Sequence, residues 1–210
     1  RSFATASAAF LLLNLLALAG LAAFGFHLGA GISSDRRVAW FAAAATVAFV
    51  AIPVALRHAN YGLVVTAALA GRIASLQRGR PWLAGACLGL AMVKPQLAAL
   101  FFFVPLVRGC WQTIVAAGAS VAAAWLAAAA LAGASPVGML LAMLRQGAGF
   151  TDTYRGAFAI LSGIGLSPSG AALAGLGAGA VATGVLCWRF RERDLVTLAA
   201  IPAVFATVWA

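Results

Sequence analysis

Apolar runs of 17 or more residues recur along this chain, each long enough to cross a hydrocarbon core of roughly 30 Å as a helix. Inside lipid the backbone must satisfy its own hydrogen bonds, so such runs fold as helices or as a closed barrel. The ten-residue stretches of alternating polarity that mark barrel strands are missing from the sequence. Composition agrees, with 64% hydrophobic residues, 9% charged and a mean hydropathy of +1.03, against about 25% charged in a soluble domain. The reading is an all-α, polytopic integral membrane bundle of about 7–8 helices, one transmembrane unit over residues 1–210, in the plasma membrane. Candidate spans fall at about 7–27, 38–56, 61–76, 82–107, 112–133, 169–188 and from 195 onward. The chain begins RSFATASAAF and stops inside an apolar run, so it reads as an internal piece of a longer protein.

The net charge of +10 does not point to nucleic acid. The 14 Lys and Arg come in ones, twos and threes between apolar segments, which is how membrane topology is written. Cys87, Cys110 and Cys187 stand singly, and His27 and His58 are far apart, so neither a disulfide framework nor a metal site is expected, and no cofactor. The G-x-x-x-G spacings GACLG (85–89) and GLGAG (175–179) suit close helix packing. No internal repeat of the kind found in many transporters is evident.

The decisive stretch is AMVKPQLAAL, residues 91–100. Thirteen apolar or small residues lead from Pro81 to Lys94, and eleven of the next twelve are again apolar or small. Proline lacks an N–H and disfavours helical conformation in the residue before it. The run 82–107 is therefore expected to break at Lys94-Pro95 into two short helices, up and back. As one span, the run divides the arginines seven against five between the two faces. With the break, Arg36, Arg37, Arg72, Arg78, Arg80, Arg108, Arg189, Arg191 and Arg193 share one side, against Arg57, Lys94, Arg145 and Arg155. Nine against four satisfies the positive-inside rule and makes the nine-residue side cytoplasmic. Pro81 to Val93 spans about 20 Å as a helix, which leaves Lys94 at a helix end in the outer part of the membrane.

Lys94 is the foremost candidate for chemistry. A lysine at depth costs roughly 2.5–3.5 kcal/mol on insertion scales and normally faces a cavity or an anion, such as a lipid phosphate. The plain alternative is a lysine snorkelling to the interface. Gln96 adds a polar group beside it. RHANYG (57–62) offers Arg57 and His58 for a phosphate and Asn60 and Tyr61 for a sugar, or else is an ordinary membrane-edge loop. The long segment 134–168 reads as an extracytoplasmic loop in which PVGMLLAMLRQ lies flat as an interfacial helix. It carries Asp152, Tyr154 and Arg155 as candidate substrate contacts, with an Asp152–Arg155 pair as the alternative. Asp35, Glu192 and Asp194 sit beside arginines and read as solvated pairs, and His27 as structural.

LQRGRPWLAGACLGLAMVKPQLAALFFFVPLVRGCWQ (76–112) resembles glycosyltransferase family 87, polytopic C-type enzymes that include polyprenyl-phosphate-mannose-dependent mannosyltransferases. The shared pattern is a basic turn, an Ala/Gly-rich helix, Lys-Pro-Gln, an apolar return helix and a basic-aromatic turn. HANYGLVV (58–65) and FATASAAFLLLNLLAL (3–18) are similar to segments of the family before that region. The resemblance implies a membrane hexosyltransferase that takes a sugar from a polyprenyl-phosphate donor to a glycolipid or glycan acceptor at the extracytoplasmic face. It also implies an aspartate base in a loop that would precede residue 1, so no catalytic residue is assigned within the chain. A transporter explains an intramembrane lysine and a broken helix equally well, and a non-catalytic scaffold is the third reading.

Overall fold

The protein is described by a computed structural model over residues 3–48, 61–139, 141–142, 163–165 and 167–209. Its elements are α1 (Phe3–Ile32), α2 (Arg36–Ala48), α3 (Gly62–Gln77), α4 (Pro81–Ala91), α5 (Pro95–Ala98), a 3₁₀ turn (Ala99–Phe102), α6 (Phe103–Val107), α7 (Trp111–Ala132), α8 (Pro168–Arg189) and α9 (Leu195–Trp209). No strand occurs among the described residues. Ala4–Ile32 and Trp111–Ala132 are long and apolar enough to cross a bilayer, while α3, α4 and α9 are apolar but shorter.

The core is mostly apolar, yet many large apolar side chains stand on the outside and a few polar ones inside. Leu12 (58%), Leu16 (62%) and Leu131 (90%) are exposed, while Asn14, Arg72, Thr113 and Thr183 are fully buried. Apolar residues face outward where the surrounding medium is hydrocarbon, and polar groups turn inward to find partners.

Small residues set the helix contacts. Gly25 and Gly29 of α1 lie against Ala39, Ala42, Ala43 and Thr46 of α2, in a register that makes α1 and α2 an antiparallel hairpin. This GFHLG spacing (25–29) works like GACLG, letting two helices approach closely. α1 and α3 run parallel: the Phe10 and Tyr61 rings meet edge-on at 5.6 Å near one end, and His27 and Arg78 line one cavity near the other. α3 and α4 form a hairpin over Arg78-Gly79-Arg80, where Gly79 takes φ +66°, a left-handed conformation that glycine adopts without strain.

The break at Lys94-Pro95 is present. The last turn of α4 tightens into i→i−3 bonds, Met92 N–H to the Gly89 carbonyl, Val93 to Leu90 and Lys94 to Ala91. Lys94 leaves helical geometry at φ −123°, ψ 83°, and Pro95 starts the next element, where its missing N–H is harmless. Whether the chain then turns back is decided by α7. The Thr113 hydroxyl donates to the Pro81 carbonyl at 3.1 Å. Four residues on, Gly85 faces Thr113, Ala116 and Ala117; four more on, Gly89 faces Ala117 and Ser120. Partners rise together, so α4 and α7 are parallel, and the segment between them, Pro95–Val107, is the return stroke. It is less regular than the single return helix expected, being α5, a 3₁₀ turn and α6 in succession. Pro105 accounts for part of this, because it removes the helical N–H bond to the Phe101 carbonyl.

With that return, the turns Ser33–Asp35, Arg78–Arg80 and Arg108–Cys110 fall at one end of the bundle. The Arg108 guanidinium donates to the Arg193 carbonyl, which joins the turn between α8 and α9 to the same end. Arg36, Arg37, Arg78, Arg80, Arg108, Arg189, Arg191 and Arg193 are all exposed there. Single cysteines at Arg36, Arg80 and Arg191, in a background without Cys87, Cys110 and Cys187, should therefore react with an impermeant maleimide from the same side of the membrane. A cysteine at Tyr61 should react from the other side, and mixed sidedness within the first group would rule out this topology.

Two of the acids differ from expectation. Asp35 and Asp194 are helix caps rather than ion-pair partners. The Asp35 carboxylate accepts from Arg37 N–H at 2.9 Å. Asp194 accepts from Val196 and Thr197 N–H, each at 2.9 Å, and from the Thr197 hydroxyl at 2.6 Å. These bonds, that of the Thr197 hydroxyl foremost, hold the Asp194 carboxyl below its ordinary value of 3.8. A depressed folded-state value means the cap's contribution is present above the ordinary value and is lost as pH falls through the lower one. Hydrogen exchange at Val196 and Thr197 should accelerate only in that acidic window, and Asp194→Asn should remove the acid sensitivity while keeping the cap. Glu192 does form an exposed pair, with Arg191 at 3.2 Å.

Candidate functional site

Lys94 sits where α4 ends and α5 begins, at the turn of the up-and-back hairpin. It is half-buried, and its carbonyl accepts from Leu97 and Ala98 N–H at 3.0 and 3.2 Å, which anchors the start of the return stroke. The antiparallel register of α3 and α4 puts Lys94 near the level of Val64 and Val65, about one turn from Tyr61. Lys94 and Tyr61 thus lie toward the end of the bundle opposite the basic turns. Tyr61 is 44% exposed and meets Phe10 of α1.

Below this level runs an apolar cavity of about 440 Å³. It is lined by Leu21, Val65, Leu97, Phe101, Ala199 and Ala203, among others, from α1, α3, the return stroke and α9. Leu97, three residues past Lys94, is the lining residue nearest to it along the return stroke.

Of the other residues singled out in the sequence, Arg57, His58, Asn60, Asp152, Tyr154 and Arg155 lie outside the described residues, as does most of 134–168. Gln96 belongs to α5, but its side chain is likewise outside what is described. Residues 136–139 form a helical turn, the start of the segment read as an interfacial helix. Among the described residues no cluster of His, Cys, Asp and Glu has the makings of a metal site.

Among the described residues, three buried polar side chains to which the sequence assigns no site have atoms without a partner. Asn14 donates to the Phe10 carbonyl at 2.9 Å, while its side-chain oxygen has no partner. Thr183 is fully buried with its hydroxyl unpartnered. Arg72, counted only as a topological charge, is fully buried on α3, and none of its guanidinium nitrogens has a partner. The available signal was position: Asn14 stands inside LLLNLLAL, and Arg72 five residues inward from Gln77, both within apolar stretches where a polar group is costly.

The family model for Glycosyltransferase family 87 matches residues 2–210, almost the whole chain. Comparison with curated proteins and with solved structures gives no match. The match supports a membrane glycosyltransferase and lends nothing to a transporter. Its extent, together with the broken Lys-Pro-Gln hairpin and the apolar helical bundle, shows that the chain belongs to glycosyltransferase family 87.

Proposed function

We propose that this membrane glycosyltransferase moves a hexose, mannose being the first choice, from a polyprenyl-phosphate donor to a glycolipid or glycan acceptor, at the extracytoplasmic face of the plasma membrane. The observation that carries the reading is the hairpin at Lys94. It puts Lys94 at a helix break toward the end of the bundle away from the basic turns, three residues before Leu97, which lines an apolar cavity of about 440 Å³. A lipid-linked donor has matching parts, a phosphate for Lys94 and an isoprenoid chain for Leu97, Phe101 and their neighbours. The basic turns mark the opposite end as cytoplasmic by the positive-inside rule.

In this reading Lys94, with Arg57 and His58, holds the donor phosphate. Asn60, Tyr61, Gln96, Asp152, Tyr154 and Arg155 contact sugar and acceptor. The acceptor hydroxyl oxygen bonds to the anomeric carbon as the bond from that carbon to the phosphate oxygen breaks. The electron pair leaves with the phosphate, and Lys94 offsets the growing negative charge. The hydroxyl proton passes to the aspartate base that the family resemblance implies. A monophosphate leaving group can be neutralised by Lys and Arg without a metal ion.

The test is reconstitution of the intact protein in liposomes with radiolabelled polyprenyl-phosphate mannose and a membrane glycolipid extract. Label should move to an acceptor. Silence with this donor and with other lipid-linked hexoses, while a nucleotide sugar supports transfer, would overturn the donor class.

A further inference from the structure

Toward the Tyr61 end α1 and α3 pack directly, with Ala17 and Leu21 clustered with Leu63, Val64 and Ala70. Toward the basic end they part around a cavity of about 330 Å³, with Leu83 and Cys87 of α4 as its third wall. The residue types keep it open. Gly20 and Ala23 of α1 face it, as do Ala67, Gly71 and Ala74 of α3, and none has a side chain larger than a methyl group. A Cβ added at Gly20 would meet nothing within 4 Å. From Ala67 to Arg78 the α3 wall rises about 16 Å, close to one leaflet of a hydrocarbon core roughly 30 Å thick.

Two basic side chains line this same cavity, His27 of α1 and Arg78 just past α3, both at its basic end. His27 also lines a second cavity, of about 610 Å³, with Ile32 and Gln77 at the ends of α1 and α3. An apolar slot and a roomier space at the level of the basic turns therefore meet at one imidazole. Gly20, Ala23, His27, Arg78 and Leu83 are exposed, so the slot opens on the outside of the bundle. A guanidinium matches phosphate oxygens two at a time, and the imidazole donates a further N–H. Basic pockets between membrane helices attract anionic lipid headgroups by this means.

We propose that this slot binds one anionic glycerophospholipid from the leaflet at the basic end, with an acyl chain between α1 and α3 and the phosphate between Arg78 and His27. The depth of the slot fits a chain of one leaflet, and its charge fits the headgroup. A zwitterionic lipid offers the same phosphate but brings a cation toward Arg78. The site lies at the end of the bundle opposite Lys94, so the assignment is independent of the donor and acceptor proposed above.

The experiment is native mass spectrometry of the intact protein released from detergent micelles, titrated with phosphatidylglycerol or with phosphatidylcholine of the same acyl chains. The first phosphatidylglycerol should bind about fivefold tighter than the first phosphatidylcholine, the worth of one arginine near a headgroup. Arg78→Gln should remove that preference, whereas Arg37→Gln, an exposed charge on α2 outside the slot, should keep it. Gly20→Leu places its side chain in open space and should weaken both lipids by blocking the acyl chain. Equal affinity for the two lipids in the wild type overturns the proposal. So does an equal loss from Arg37→Gln and Arg78→Gln, or a Gly20→Leu protein that binds as the wild type does. Inorganic phosphate in large excess should leave the lipid bound; displacement would make this a site for the free anion and overturn the lipid assignment. If Arg78→Gln fails to fold, His27→Ala decides: the preference should fall severalfold, and an unchanged preference overturns the site.

Discussion

Lys94→Ala should lower transfer from a polyprenyl-phosphate sugar by about 10²–10³-fold, comparable to deleting one donor that stabilises developing negative charge. The loss should appear chiefly in kcat, because the charge on the phosphate grows as the glycosidic bond breaks. Insertion should survive, since the break in the helix is made by Pro95 and held by backbone bonds at Lys94. Lys94→Arg should retain part of the activity, because it keeps the charge while changing its geometry. The measurement is single-turnover transfer in proteoliposomes, with protein amount matched by Western blot. Full activity in Lys94→Ala would remove Lys94 from the phosphate site and return it to a snorkelling lysine.

The largest stability effect is expected at the contact of α4 with α7. A Cβ at Gly85 would collide with the Ala116 side chain and with the Thr113 carbonyl, and one at Gly89 with Ser120. Part of the obstruction is backbone, so it cannot be relieved by a rotamer change. Gly85→Leu should therefore cost about 3 kcal/mol, the upper end for overpacking. Because the parallel register of α4 and α7 depends on this seam, separation of the two helices also loosens the hairpin that carries Lys94. Gly118 is the internal comparison: it lies on α7 with nothing near its missing side chain. Gly118→Ala should be neutral or stabilise by about 0.5–1 kcal/mol, through the better helix propensity of alanine. Unfolding in mixed micelles, read by circular dichroism, checks both. A Gly85→Leu protein as stable as Gly118→Ala would mean that α4 and α7 are not in contact.

The break at Lys94 and the helix contacts differ in how visible they were. Pro95 acts on its own neighbour through a local steric clash, so the end of α4 could be read from four letters. The charge count then favoured the return stroke, and the Thr113–Pro81 hydrogen bond agrees with it. GACLG was readable as a packing seam, whereas its partner was not, because spacing says that a helix is smooth and not which helix it meets. The caps at Asp35 and Asp194 also have a local sequence signal. An aspartate just before an apolar run is a helix-start signal, and the arginines beside it make an ion pair look equally plausible from sequence alone.

The sequence by itself determined the helical class, the placement of the apolar segments, the helix break at Lys94-Pro95 and the family. Each follows from composition, from constraints within a few residues, or from a pattern contiguous along the chain. Only the tertiary structure decided that Arg72, Asn14 and Thr183 are enclosed, that Leu97 and Phe101 wall a cavity with residues of α1, α3 and α9, and that α4 lies parallel to α7. A side chain's environment is built by residues distant in sequence, and an arginine near a helix end reads the same whether it reaches water or is buried by neighbouring helices.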